Sequence, residues 1–89
     1  MEILKSASAG TMESSDVYVE VEPGEEGLEI CLESVVEKQF GEAILKVVRA
    51  VLTECGVEKA VVRVVDRGAL ECVIRARVET AVFRGKEEI

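Results

Sequence analysis

Residues 17–34 read VYVEVEPGEEGLEICLES, two runs of alternating apolar and polar residues on either side of a short segment with proline and glycine. Alternation with a period of two is typical of a β-strand that buries one face. The segment between the runs, Pro23 to Gly27, consists of residues that favour turns. The stretch therefore predicts a β-hairpin formed by Val17 to Glu22 and Leu28 to Glu33.

A weaker strand pattern precedes this stretch, at Ala9 to Glu13. Ser14, Ser15 and Asp16 separate it from Val17. Serine and aspartate favour tight turns because their side chains bond to nearby backbone groups. We therefore expect one more strand, which a short polar turn joins to the hairpin.

A long helix is predicted after the second run. Ser34 and Glu37 have the spacing of a capping box, in which each side chain bonds to the other residue's backbone N–H. Apolar residues then recur at helical spacing on one face, and Gly56 is a natural end. The residues of this apolar stripe are Val36, Phe40, Ile44, Val47, Val48, Val51 and Leu52.

The remaining sequence predicts a strand and a second helix. Ala60 to Val65 is rich in valine, which favours a strand that is covered on both faces. Asp66 is predicted to be the N-cap of the helix, which should end at Gly85. Its apolar residues recur at intervals of four, at Leu70, Ile74, Val78 and Val82.

The element order β-β-β-α-β-α indicates an α+β fold. Helices with a single apolar stripe bury it against a sheet, so we expect two layers: a mostly antiparallel sheet of three to four strands, and two helices on one face. The 89 residues suffice for one small domain. We place it at residues 1–89, with loose ends at 1–8 and 85–89.

Composition excludes several classes of function. The chain has no histidine, so it contributes no Ser-His-Asp triad, Cys-His pair or histidine metal ligand. Its net charge is −7, and from Met1 to Glu37 one basic residue stands against ten acidic ones. Such a field disfavours nucleic-acid and membrane partners. It indicates either a surface adapted for solubility or a docking surface for a basic partner.

The three cysteines, Cys31, Cys55 and Cys72, are odd in number and lack Cys-x-x-Cys spacing. Because secreted disulfide scaffolds have denser and even sets, we expect reduced thiols that pack in the core. No signal-peptide pattern is visible, and no apolar run approaches the ~20 residues that span a bilayer. A cytoplasmic location is therefore expected.

Packing does not account for residues 10–16, GTMESSD, which place hydroxyl groups between acidic residues in a predicted turn. The chain has no Gly-rich phosphate-binding motif, and three dispersed thiols without histidine do not make a metal site. From the residues alone, two interpretations stay open: an ordinary polar turn, or a hydroxyl that another enzyme modifies. Without histidine to activate it, a serine here would be an attachment point rather than a nucleophile.

Three stretches resemble the acyl carrier (gamma) subunit of citrate lyase, in the order and spacing of that family. They are AGTMESSD at residues 9–16, SVVEKQFGEAI at 34–44 and DRGALECVIRARVE at 66–79. The family's Glu-Ser-Gly-Asp motif corresponds to residues 13–16, so the resemblance implies that Ser14 is modified. Ser15 stands where the family usually has glycine, which leaves attachment at Ser15 open.

The resemblance implies a non-catalytic carrier with a covalent cofactor. The cofactor would be 2'-(5''-phosphoribosyl)-3'-dephospho-coenzyme A, joined to serine by a phosphodiester and acetylated on its terminal thiol. A partner alpha subunit would exchange acetyl for citrate, and a beta subunit would cleave the citryl thioester to oxaloacetate. A prosthetic-group transferase and an acetylating ligase would be further partners. A long tether suits this role because the thioester can visit two active sites in turn.

Two other functions remain as alternatives. One is the related carrier subunit of malonate decarboxylase, which uses a similar prosthetic group. The stretches at residues 34–44 and 66–79 are more similar to the citrate lyase carrier. The other is a non-enzymatic α+β module that binds a protein partner and leaves Ser14 unmodified.

Overall fold

A computed structural model describes residues 1–86 of the chain. It contains four strands and two helices in the predicted order. These are β1 (Ala7–Gly10), β2 (Val17–Pro23), β3 (Leu28–Ser34), α1 (Glu37–Glu54), β4 (Ala60–Asp66) and α2 (Glu71–Gly85). The strands form one mixed sheet in which two of the three pairings are antiparallel. The predicted α+β class with a mostly antiparallel sheet is therefore confirmed.

The strand order in the sheet is β1-β2-β4-β3. Strand β4 pairs antiparallel with β2 on one side and parallel with β3 on the other. The predicted hairpin is therefore wrong, because β2 and β3 are not hydrogen-bonded neighbours. Alternation identifies strands with one buried face and sets which side chains point inward, but it does not identify the pairing partner.

Strand β4 lies in the interior of the sheet, but the expectation that it is covered on both faces holds only in part, because Arg63 on the face away from the helices is exposed. Val62 and Val64 face the helices and are fully buried, and Val65 on the opposite face is buried too. The connection between β2 and β3 passes over the beginning of β4, where Gly27 O accepts the N–H of Ala60 at 3.0 Å. A Cβ at Gly24 would lie 2.9 Å from the backbone nitrogen of Ala60, so this close approach requires glycine.

The core lies between the sheet and the two helices. Helix α2 packs on β1 and β2, α1 packs on β3, and the helices pack on each other. Val48 and Leu52 of α1 and Val78 of α2 are fully buried there. Most of the two predicted apolar stripes face this core. The exceptions are Phe40 and Leu70, which are 53% and 71% exposed.

Neither helix begins with the cap that was predicted. Helix α1 begins at Glu37 and α2 at Glu71, and neither has a side-chain cap. The capping box of Ser34 and Glu37 and the N-cap role of Asp66 are therefore wrong. Ser34 and Asp66 end two neighbouring parallel strands, and Ser34 Oγ donates to Asp66 Oδ2 at 2.8 Å. The two side chains bond to each other because the strands bring them together.

The Asp66 carboxylate is buried, with 1% of the residue exposed, and all its hydrogen bonds come from neutral groups. Besides Ser34 Oγ, it accepts the backbone N–H of Gly68 at 3.2 Å and of Ala69 at 3.0 Å. Aspartate often bonds to N–H groups two or three residues further along the chain. Here that preference stabilises the turn before α2 instead of the first turn of the helix itself.

Residues 1–8, which were expected to be a loose end, lie against the fold. Ile3 is buried, and the backbone N–H groups of Leu4 and Lys5 both bond to Gly85 O, at 2.9 and 3.1 Å. Apolar side chains at the start of the chain thus cover the end of α2. Gly85, in the second expected loose end, is helical and buried. Residues 87–89 lie outside the described residues.

The cysteines are free thiols, but only Cys55 is even half-buried. The prediction of buried packing thiols is wrong for Cys31 and Cys72, which are exposed. Cys31 occupies a polar position of the alternation in β3, and Cys72 lies off the apolar stripe of α2. Burial raises the pKa of the Cys55 thiol, and the carboxylates of Glu79 and Glu54 act in the same direction.

Replacing Asp66 should be far more destabilising than replacing its partner. Asp66→Ala removes three hydrogen bonds that the buried carboxylate accepts, each worth about 1 kcal/mol, so we expect a loss of about 3 kcal/mol. Ser34→Ala removes one of these bonds and should cost about 1 kcal/mol. Urea unfolding of both variants measures the difference. Equal losses would contradict the central role of the carboxylate.

Candidate modification site

The serine motif forms the connection between β1 and β2, residues 11–16, which we call the serine turn. Strand β1 ends at Gly10, earlier than the sequence pattern predicted. Across the sheet, Val17 lies opposite Asp66, which in turn lies opposite Ser34. The serine turn is therefore at the end of the sheet where β3 and β4 end and where both helices begin.

Asp16 organises the serine turn through four hydrogen bonds. Its carboxylate accepts Thr11 Oγ1 at 2.7 Å and the backbone N–H of Val17 at 2.7 Å. The guanidinium of Arg77, on α2, donates to both carboxylate oxygens, at 3.2 and 3.0 Å. The bonds from Thr11, Val17 and Arg77 lower the pKa of Asp16 from 3.8 to about 2. Asp16 is thus an ionised carboxylate that joins the turn to the helix layer.

The backbone of the serine turn is also tied to the chain that follows β4. Ser15 N–H donates to Arg67 O at 2.9 Å, and Arg67 N–H donates to Asp16 O at 2.9 Å. Within the turn, Asp16 N–H donates to Glu13 O at 3.1 Å. A Cβ at Gly10 would lie 1.9 Å from Val17 O, so glycine is required where the chain enters the turn. Both ends of the turn are therefore fixed.

Ser15 adopts a left-handed backbone conformation, with φ of 66°. Among residues 1–86 it is the only residue other than glycine with a positive φ. A side chain in this conformation costs roughly 1–2 kcal/mol, whereas glycine adopts it freely. The conformation explains why glycine suits this position of the motif. In this chain, the backbone bonds around Arg67 hold a serine there instead.

Ser14 lies next to this residue on the outer surface of the turn and is exposed. The side-chain hydrogen bonds of the turn belong to Thr11 and Asp16, and within residues 1–86 none involves the Ser14 hydroxyl. The structure thus leaves both predicted serines, Ser14 and Ser15, exposed on the turn. It also shows that the hydroxyl of Ser14 is not needed to hold the turn in shape.

The turn depends on two residues that the sequence motif did not identify, Arg67 and Arg77. Arg67 holds the turn through its backbone N–H and carbonyl groups, which almost every residue type has, so its residue type gives no signal. Arg77 directly precedes the buried Val78 on α2. Arg75 beside the buried Ile74 and Arg49 beside the buried Val48 have equivalent positions, so the sequence carries no signal that singles out Arg77.

The face of the sheet opposite the helices has an acidic character. Glu22, Glu29 and Glu33 are exposed at alternating strand positions that point away from the core. Glu20 accepts a hydrogen bond from Tyr18 Oη at 3.2 Å and pairs with Arg63 at 3.0 Å. Four of the ten acidic residues between Met1 and Glu37 thus lie on this open face. Neither helix within residues 1–86 has the length and hydropathy to cross a bilayer.

The fold is shared with a chain in the crystal structure of a Pseudomonas malonate decarboxylase hetero-tetramer in complex with malonate. The match has a TM-score of 0.81 at 22% sequence identity, and it covers 94% of this chain and 87% of the matched chain. The class of protein follows from a family model named ACP and described as the malonate decarboxylase delta subunit (MdcD), which matches residues 4–85. The chain therefore belongs to this family.

Curated relatives of the chain are named citrate lyase acyl carrier proteins. Those of Halothermothrix orenii and Latilactobacillus sakei are 57% identical over 44 residues, and that of Escherichia fergusonii is 58% identical over 45 residues. Each match covers 49% of this chain and 47%, 44% and 46% of the respective relative. The chain thus matches just under half the length of these relatives.

Asp16→Asn should reduce the free energy of unfolding by about 1.5–3 kcal/mol at pH 7, because hydrogen bonds to a charged group are lost. The pKa of Asp16 is lowered to about 2 in the folded chain. Its stabilising effect should therefore be complete above pH ~4 and decline as the pH falls from about 4 to 2. Urea unfolding of both proteins over this range measures the decline.

The matched control is Glu13→Gln, which removes an exposed carboxylate of the same turn. It should change the stability by less than about 0.5 kcal/mol. A stability difference between wild type and Asp16→Asn that stays constant from pH 7 to pH 2 would contradict the assignment of Asp16 as the ionised centre of the turn.

Ser15→Gly should stabilise the chain, because glycine removes the strain of the left-handed conformation. We expect a gain of up to about 1 kcal/mol, since part of the relief is offset by the greater freedom of glycine in the unfolded chain. Ser14→Gly, at a position without a positive φ, should instead lose about 0.4–1 kcal/mol. Thermal and urea unfolding distinguish the two. Destabilisation by Ser15→Gly would show that its side chain is needed in the turn.

Proposed function

We propose that the chain is the acyl carrier of a citrate lyase and that its prosthetic group is attached to Ser14. The serine turn is the observation that carries this proposal. An exposed hydroxyl stands on a turn whose shape depends on Asp16, Arg77 and the backbone of Arg67. The relatives named citrate lyase acyl carrier proteins support the same role.

The geometry of the turn favours Ser14 over Ser15 as the attachment residue. Ser15 occupies the left-handed position that suits glycine, and its N–H is bonded to Arg67 O. It therefore has a structural task in the turn. Neither the Ser14 nor the Ser15 hydroxyl makes a hydrogen bond within residues 1–86, so Ser14 is favoured by its place in the motif and by a backbone without a positive φ.

The surroundings of Ser14 fit a phosphodiester. The residue is exposed, so a bulky group meets no steric barrier, and the exposed Arg67 belongs to the loop that is bonded to the turn. A guanidinium near a phosphate gives a favourable charge interaction. When bound, the prosthetic group 2'-(5''-phosphoribosyl)-3'-dephospho-coenzyme A supplies a thiol that carries the acyl group. The chain supplies the attachment point and its orientation.

Within residues 1–86, no side chain is hydrogen-bonded to the Ser14 hydroxyl to activate it. Asp16 is the nearest organised carboxylate of the turn, but its oxygens already accept four hydrogen bonds and its pKa of about 2 makes it a weak base. The base for attachment therefore comes from a prosthetic-group transferase. An acetylating ligase loads the thiol, the alpha subunit carries out acyl exchange and the beta subunit carries out cleavage. This division makes the chain a non-catalytic subunit of a cytoplasmic complex.

The second candidate is a carrier subunit of malonate decarboxylase. It is favoured by the description of the family model and by the shared fold with a chain of the Pseudomonas complex. The citrate lyase carrier ranks first because the identity to relatives with that name is 57–58% over the matched half, against 22% for the solved chain.

Intact-mass spectrometry tests the attachment. The wild-type chain, co-expressed with the transferase or isolated from cells that split citrate, should carry the added mass of the prosthetic group. Ser14→Ala should abolish this addition, because no other hydroxyl holds the same position in the turn. Ser15→Ala is the matched control and should retain it.

Each other outcome has a separate meaning. An addition that survives Ser14→Ala but is lost in Ser15→Ala would show that the attachment residue is wrong and leave the carrier role intact. A chain without any addition, isolated from cells that split citrate, would contradict the carrier role. Mixing the modified chain with alpha and beta subunits of citrate lyase, or with the partner subunits of malonate decarboxylase, shows which activity it restores.

A further inference from the structure

An open apolar groove of about 340 Å³ runs between the beginnings of the two helices. Its walls are formed by Phe40, Ala43 and Ile44 of α1 and by Leu70 and Ile74 at the start of α2. Phe40 and Leu70 are the two stripe residues that do not reach the core, with 53% and 71% of their surface exposed. The groove is therefore an exposed apolar surface that the folding of the chain leaves uncovered.

The groove is continuous with the loop that holds the serine turn. Arg67 bonds to the turn through both its N–H and its carbonyl oxygen. The next residues along the chain, Gly68, Ala69 and Leu70, line the groove. A group that is attached to Ser14 thus leaves the protein beside the groove, at the same end of the sheet.

The charges around the groove restrict what it can hold. Its two charged lining residues are acids, Asp66 at the floor and Glu71 in the first turn of α2. An acidic ligand such as a citryl group or a phosphate is repelled there. A neutral, flat and mostly apolar ring is accepted, and the exposed Phe40 offers an aromatic face for stacking. Glu71 provides an acceptor for an amino group on such a ring.

We propose that the groove binds the purine base of the arm attached to Ser14. This inference rests on the proposed function, because the purine is the first aromatic ring along that arm, separated from the serine by one phosphate and two riboses. The phosphates then remain outside the groove, near the Arg67 side. Small-molecule sites commonly have this character, an apolar cleft with a few polar groups at its edge.

Binding of the base has a consequence for the rest of the arm. Binding of the purine holds the first part of the arm against the protein, while the part that ends in the thiol stays mobile. A shorter mobile segment raises the effective concentration of the thioester at sites within its reach. The groove thus sets the direction in which the thiol leaves the carrier.

Adenosine monophosphate and ribose 5-phosphate, titrated into the unmodified ¹⁵N-labelled chain, test the groove without any enzymatic activity. We expect saturable amide shifts at Phe40, Ala43 and Leu70 with adenosine monophosphate, at a Kd of about 1 mM. Ribose 5-phosphate lacks the base and should not produce these shifts. The modified chain should show the same groove shifts without added nucleotide, because its own base occupies the site.

Two matched pairs of variants locate the binding. Ala43→Trp fills the groove, whereas Ala76→Trp adds the same bulk at an exposed site of α2 outside it. Phe40→Ala removes the stacking surface, whereas Phe83→Ala removes another half-exposed ring. The two groove variants should weaken binding of adenosine monophosphate at least about tenfold, and the two controls should leave it unchanged. Dispersed amide spectra verify that each variant is folded.

Absence of saturable shifts at the groove in the unmodified chain would overturn the proposal, even if intact mass shows modification at Ser14. If the groove variants weaken assembly with the partner subunits, and adenosine monophosphate causes no shifts at the groove, the groove is a protein-docking surface. That result would also overturn the proposal. If the groove binds the nucleotide while the chain from citrate-splitting cells carries no added mass, the ligand is a free nucleotide. That result would overturn the serine-linked arm as its source.

Discussion

The buried carboxylate of Asp66 is the hydrogen-bond acceptor on which this end of the molecule depends. It accepts hydrogen bonds from Ser34, where β3 ends, and from the backbone of the loop that follows β4. That loop holds the serine turn through Arg67 and then forms one wall of the apolar groove. The position of β4 between β2 and β3 makes this possible, because it places Asp66 in the middle of the sheet end. The proposed site is therefore an extension of the central strand.

Two aspartates build this end of the molecule by different means. Asp66 is buried and accepts hydrogen bonds from neutral donors, so it holds the Ser34 side chain and the backbone of the loop after β4 in place. Asp16 is partly accessible and pairs with the guanidinium of Arg77, which joins the turn to a helix. Together they hold the turn that contains Ser14, the proposed attachment point, in one conformation. A fixed attachment point is useful to a carrier, because the volume that a tethered group can reach is defined only when the start of the tether is held in place.

Local patterns in the sequence predicted the order and type of all six elements and the class of the fold. They failed wherever the outcome depends on residues distant along the chain. The alternation in residues 17–34 is the same for a hairpin and for two strands with β4 between them. Ser34 and Asp66 have the types and spacing of helix caps, and only the parallel pairing of β3 with β4 turns them toward each other. Ser14 was proposed from the resemblance of its motif, whereas the role of Arg67 in the turn lies in its backbone and has no sequence signal.

The hydrogen bond between Ser15 and Arg67 also means that the serine turn is complete only after the later part of the chain has been synthesised. A nascent chain that ends before β4 contains Ser14 but lacks both Arg67 and Arg77, the residues that give the turn its shape. Because contacts between distant residues form late in folding, the turn reaches its final conformation only when the sheet and α2 are complete. An attaching enzyme that recognises this conformation would ignore truncated or misfolded chains. In the proposed carrier, the geometry of the turn would restrict cofactor attachment to chains that have finished folding.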